Sequence, residues 1–241
     1  MTLATPPWSF ERFESSQTGG GASPPGTGVV CSVTPNTKGS WIQVIASTAA
    51  EYTLVCISFA LSSAAATDTS TLADIGIGAA ASEEVLIPDL LAGWAAAGTS
   101  GGMSRSYIFP LHVPSGSRIS CRGAGAVASQ TFRCLITMFG GPNRPGWWAG
   151  SNVTAYGINS AASRGTLVTS GNAAAEGSWT QLTASTSRDH FATILGLGGT
   201  GGVTVMNTLT YVFDVGIGAA TESVIADQFQ YKGELASAGT K

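Results

Sequence analysis

With 241 residues the chain is long enough for one or two domains with substantial cores. Only 10% of its residues are charged and the net charge is −3, so it lacks the basic footprint of a nucleic-acid binder, while 44% hydrophobic content argues against disorder. Low charge on a folded chain favours association, and a protein that lives in an assembly is expected.

Residues 1–27 read as an N-terminal arm. The opening MTLATPPWSFERFESS has no basic start followed by an apolar run, so no secretory leader is expected and cytosolic synthesis is the default. Trp8, Phe10 and Phe13 form an aromatic cluster that either docks on a partner or packs against the first domain. The Gly/Pro-rich stretch from Ser15 to Gly28 reads as flexible or polyproline-like. No membrane span is expected, because apolar stretches such as Tyr52 to Leu61 fall well short of about 20 residues.

Residues 28–140 alternate apolar and polar positions with period two, the mark of half-buried strands. Eight strands are predicted in chain order: VVCSV, WIQVIAST, EYTLVCISFAL, STLADIGIG, EEVLIPDL, RSYIFPLHV, SRISCRG and TFRCLITMFG. In the second, Trp41, Gln43, Ile45 and Ser47 should share one face and Ile42, Val44 and Ala46 the other. In the third, Thr53, Val55, Ile57 and Phe59 should share a face. Val113 to Gly116, VPSG, reads as a turn. LLAGWAAAG near Leu90 is the nearest approach to a helix, and Gly93 interrupts it. Eight short strands with turn signals predict an all-β protein built on a β-sandwich of jelly-roll type.

Residues 141–163 read as a linker, punctuated by Gly and Pro in GGPNRPGWWAG. Trp147 and Trp148 are adjacent and should point to opposite sides, one anchoring the domain junction and the other facing a partner or a sugar. Residues 164–241 then repeat the first domain. GSWIQVIAST at Gly39 returns as GSWTQLTAST at Gly177, and DIGIGAA at Asp74 returns as DVGIGAA at Asp214. Each glycine motif is followed by a hydroxyl residue and an acid, Ser82-Glu83 and Thr221-Glu222. The second copy is expected to supply about five strands. It lacks counterparts of RSYIFPLHVPSGSRIS and TFRCLITMFG, so either the gene product continues past Lys241 or a neighbouring subunit completes the sheet.

Few residues invite chemistry. DIGIGAA lacks the third glycine and following helix of a dinucleotide loop, and no P-loop GK[ST] occurs. It reads as a strand whose glycines let it bend or let another backbone approach. Asp74 and Glu83 could do acid–base work in a sheet cleft, but Asp214 and Glu222 repeat them, which suggests a shared turn hydrogen bond. Calcium is the one cation these carboxylates would suit. His112 and His190 have no nucleophile signature beside them and read as surface or packing residues. Asn152-Val153-Thr154 is a sequon that means little without a leader. Cys31, Cys56, Cys121 and Cys134 form no CxxC pair and read as buried free thiols, or as one disulfide within the first domain. No catalytic residue, metal or cofactor is expected.

The strings DIGIGAAASEEVLIPDL and RSYIFPLHVPSGSRISCR together resemble a module of virion structural proteins from tailed bacteriophages and related gene-transfer particles. The resemblance covers most of the first copy and the first half of the second. It implies a non-enzymatic fibre, spike or decoration protein on the virion, assembled in the host cytoplasm. Its partners would be capsid or tail components and further copies of itself, with no nucleic acid or membrane. Trp8, Phe10, Phe13, Trp147 and Trp148 are the expected partner contacts. The alternative is a carbohydrate-binding module that recognises a host surface glycan through Trp94 or Trp147.

Overall fold

A computed structural model describes residues 26–61, 69–95, 105–140, 149–158, 160–163, 165–169, 171, 175–196, 209–218 and 222–233. The chain divides into two units, Met1–Thr166 and Leu167–Lys241. Among the described residues there is no helix.

The first unit contains all eight predicted strands: β1 (Thr27–Val30), β2 (Ile42–Ile45), β3 (Leu54–Leu61), β4 (Thr69–Ile77), β5 (Glu84–Ala95), β6 (Arg105–Phe109), β7 (Ile119–Gly125) and β8 (Thr131–Phe139). They form two four-stranded antiparallel sheets, ordered β1-β8-β3-β6 and β2-β7-β4-β5. The hydrogen-bonded pairs 1–8, 2–7, 3–6 and 4–5 are nested, as in one long ribbon rolled on itself. Side chains from both sheets form one core, so the unit is a β-sandwich.

The period-two pattern explains most of this core. On β8, Phe132, Cys134, Ile136 and Met138 point inward and are fully buried. On β3 the inward face is Val55, Ile57 and Phe59, as the alternation predicts. Phe59 meets Phe132 edge-on with centroids 5.7 Å apart. Strict alternation fails on β2, where Val44 and Ile45 are both buried. A register shift against β7 between Gln43 and Ile45 leaves Val44 as the extra residue and turns consecutive side chains inward.

Two further expectations change in detail. The expected strand RSYIFPLHV ends at Phe109, because Pro110 has no N–H to continue the ladder; Leu111 and Val113 make single bridges to Gly150 and Tyr52. LLAGWAAAG is strand as far as Ala95, paired to β4 through Trp94 and Ala95. The VPSG turn is present. Gly116 has φ +77°, and its N–H, like the Ser117 N–H, is held by Thr48.

Residues 149–158 and 160–163 lie against the first sandwich. The Val153 N–H donates to the Leu86 carbonyl at 3.0 Å, and Ala161 packs with Leu72 and Ala124. The Ser70 hydroxyl donates to the Ala161 carbonyl.

The second unit has one antiparallel pair among its described residues, β9 (Leu209–Ile217) with β10 (Ser223–Gly233). This pair repeats β4–β5 closely. In the first unit Ala73, Ile75, Gly76 and Ile77 oppose Leu90, Ile87, Val85 and Glu84. In the second, Phe213, Val215, Gly216 and Ile217 oppose Phe229, Ala226, Val224 and Ser223. Two of the three β4–β5 register shifts therefore recur, the one between Thr71 and Leu72 being absent from β9–β10, and Asp89 and Gln228 sit at the same bulge with φ of +52° and +51°. GSWTQLTAST, by contrast, forms no strand. Two differences account for this: the residues IQVI of β2 become TQLT, and the partner strand is missing among the described residues. β2 pairs only with β7 in its sheet, and no counterpart of β7 is present among the described residues of the second unit. β9 and β10 form because a hairpin carries its own partner.

Candidate assembly site

The repeated acid of the DIGIGAA motif lies at the centre of a charge cluster on the outer face of the β2-β7-β4-β5 sheet. Ala73 and Ile75 point into the core, so Asp74 between them points out. β7 places Arg122 directly opposite Asp74. The Arg122 Nε donates to Asp74 Oδ2 at 2.9 Å, and Lys38 Nζ donates to Oδ1 at 2.5 Å. The Asp89 N–H, turned inward by the bulge, donates to the same Oδ1 at 2.9 Å. Lys38 also reaches Asp89 Oδ1 at 2.8 Å. Two acids thus meet two cations around an Asp74 that is only 3% exposed.

Trp41 roofs this cluster. A Cβ on Gly76 would come within 2.7 Å of the Trp41 ring, so glycine is required for the ring to lie flat on the strand. What approaches the glycine is a ring rather than another backbone. The Arg122 guanidinium stacks 4.4 Å above the ring centroid, closing the site from outside.

Glu83, the second repeated acid, is gripped at the hairpin turn. Arg118 Nη1 lies 2.5 Å from Glu83 Oε1, and Arg118 Nε donates to Gln43 Oε1 at 3.1 Å. The Arg118 hydrogen bond holds the Glu83 carboxyl below its ordinary range. A depressed folded pKa adds stability that is present above the unfolded value, about 4.3. That stability is lost as pH falls through the folded value. Thermal melts of Glu83→Gln should therefore fall less steeply than wild type below about pH 4.5. Parallel pH profiles would show that Arg118 does not hold this carboxylate.

The second unit keeps the framework of this site and loses its cations. Asp214 Oδ1 accepts the Gln228 N–H at 2.7 Å, as Asp74 accepts Asp89. Trp179 stands over Gly216, with a Cβ there 3.0 Å from the ring. Yet Lys38 is replaced by Glu176, Asp89 by Gln228, and among the described residues no strand brings arginines opposite Asp214 and Glu222. Among the described residues Asp214, Glu222 and Glu176 make no ion pair. Trp179 is 47% exposed.

Repetition in the sequence pointed to Asp74, Asp214, Glu83 and Glu222, and to a shared hydrogen bond. That bond crosses the hairpin at a bulge, fourteen or fifteen residues away. Lys38, Arg118, Arg122 and Trp41 were not singled out. The signal for Lys38 was its replacement by glutamate within otherwise matched blocks. His112 Nε2 lies 2.7 Å from Glu51 Oε1 on the surface. All four cysteines are free; Cys31, Cys121 and Cys134 are buried and Cys56 half-buried. Burial pushes the Cys31 thiol up to about 11 and raises Cys121 as well, which suits inert core residues. Among the described residues no group of His, Cys, Asp and Glu could hold a metal ion. Trp8, Phe10, Phe13, Trp147 and Trp148 lie outside the described residues, as does the side chain of Trp94.

No family model, curated protein or solved structure matches the chain.

Proposed function

We propose that the protein is a non-enzymatic structural subunit of a virion surface, a fibre, spike or decoration protein of a tailed phage. In this reading it is assembled in the host cytoplasm, self-associates, and attaches to capsid or tail components through its N-terminal arm and first domain. One observation carries the assembly reading. Among the described residues, every buried hydrophobic belongs to the first unit, the last being Ala161. The second unit instead exposes Trp179, Leu182, Phe191, Ile194, Val212 and Ile225. Burying such side chains is worth about 1.5–3 kcal/mol each, so a unit that leaves them in water gains most from a partner.

The nested strand order supports the jelly-roll form of the first sandwich. The ion pairs that engage Asp74 and Glu83 favour a structural role for the two carboxylates best placed for acid–base work. The virion setting is supported by the motif resemblance. Sedimentation at rising concentration, with and without capsid and tail components, tests the proposal. Association is expected. A monomer at every concentration that binds neither component overturns it.

A further inference from the structure

The first unit shows what closes the outer edge of a β4-like strand. β7 runs antiparallel along β4, from Thr71 opposite Gly125 to Ile77 opposite Ile119. It brings two arginines four residues apart, Arg122 to Asp74 and Arg118 to Glu83. Arg118 immediately precedes β7, and apart from Ile119 and Arg122 the strand consists of small residues, Ser120, Cys121, Gly123, Ala124 and Gly125.

From Phe213 to Ile217, β9 repeats the register of Ala73 to Ile77 in β4, with the same two bulges and the same cross-hairpin hydrogen bond, and its corresponding edge carries no strand among the described residues. The two acids that β7 would neutralise, Asp214 and Glu222, are both in place. The substitution of Glu176 for Lys38 makes the site more acidic than its counterpart. Every main-chain group on such an edge is a template for another strand, and charge decides which strand.

We propose that the open edge of β9 accepts an extended segment of a different protein, antiparallel to β9. One arginine of that segment lies opposite Asp214, and a second, four residues earlier, reaches Glu222. A second copy of this chain is a poor donor. Two arginines four residues apart occur once in the sequence, at Arg118 and Arg122, and that strand is already held between β2 and β4. β9 itself carries no cation to offer another β9. The inference rests on the assembly reading above and names the chemistry of one partner.

The probe is a ten-residue peptide with the sequence of Arg118 to Val127, carrying Cys121→Ser and offered to the full chain. Bound peptide should slow hydrogen exchange in residues 209–217 and leave β4 unchanged. Glutamate at both peptide arginines should weaken binding about tenfold or more, because it replaces two charge-assisted hydrogen bonds with like-charge repulsion. Asp214→Asn with Glu222→Gln in the protein should weaken it similarly, with the exchange of the first unit as the control for folding. Binding that ignores charge reversal, protection outside β9, or no binding overturns the inference. So does a β9 already protected in the free protein. Protection that rises with concentration would identify a second copy as occupant, and protection at every concentration the chain's own residues. Sedimentation of the same samples separates the two ideas: a chain that assembles yet ignores the peptide keeps the assembly reading and loses the arginine-bearing strand.

Discussion

Replacing Asp74 with alanine is expected to destabilise the first sandwich by about 3 kcal/mol or more, the range for removing one partner of a buried charge pair. The loss has two parts. Arg122, its side chain 28% exposed, loses its acid, and Lys38, 22% exposed, is left with Asp89 alone. The Asp89 N–H, presented by a residue at positive φ, loses its acceptor. The same change at Asp214 should cost less than about 1 kcal/mol, because it removes one exposed hydrogen bond and no ion pair. Urea unfolding of the two variants measures the difference. Equal losses would mean that the cluster around Asp74 contributes little beyond the bulge bond that both copies share.

The second large effect belongs to the core. Phe132→Ala should cost about 3–5 kcal/mol, since the ring is fully buried and the cavity it leaves cannot fill. Its neighbours are fixed in place: Phe59 is itself 2% exposed, and the tip of the ring lies close to where a Cβ on Gly123 would be. Phe191→Ala in the second unit removes the same side chain from a site 53% exposed and should change stability of the isolated chain by less than about 0.5 kcal/mol. If partners cover the second unit, the ranking alters in the assembled state. Phe191→Ala would then weaken association while leaving the melting of the free chain intact. A large loss of stability in free Phe191→Ala would contradict a core confined to the first unit.

The two sets of residues also differ in how readily they were read. β3 and β8 bury one face and expose the other, so alternation alone gives their direction, and hydrophobic period marks each strand of the first unit. Pairing order is a different matter. Nothing in VVCSV shows that it lies beside TFRCLITMFG, a hundred residues later, because long-range antiparallel partners share no local pattern. Bulges are hidden for the same reason. The extra residue at Val44 or at Asp89 exists only relative to a partner strand.

The duplicated segments make the division plain. GSWIQVIAST and GSWTQLTAST are nearly the same words, yet the first contains a strand and the second none. The differences fall inside the strand itself, where IQVI becomes TQLT and two core-facing isoleucines give way to threonine, and among the described residues no counterpart of β7 lies alongside. Chain chemistry alone settled the all-β class, the strand positions of the first sandwich, the duplication and the pairing of matched acids. Which acids are neutralised, and which edge carries no neighbour among the described residues, followed from the packing of strands distant in the chain. The physical reason is that a strand's backbone hydrogen bonds, and the counter-ions of its charges, come from a neighbour that its own residues do not specify.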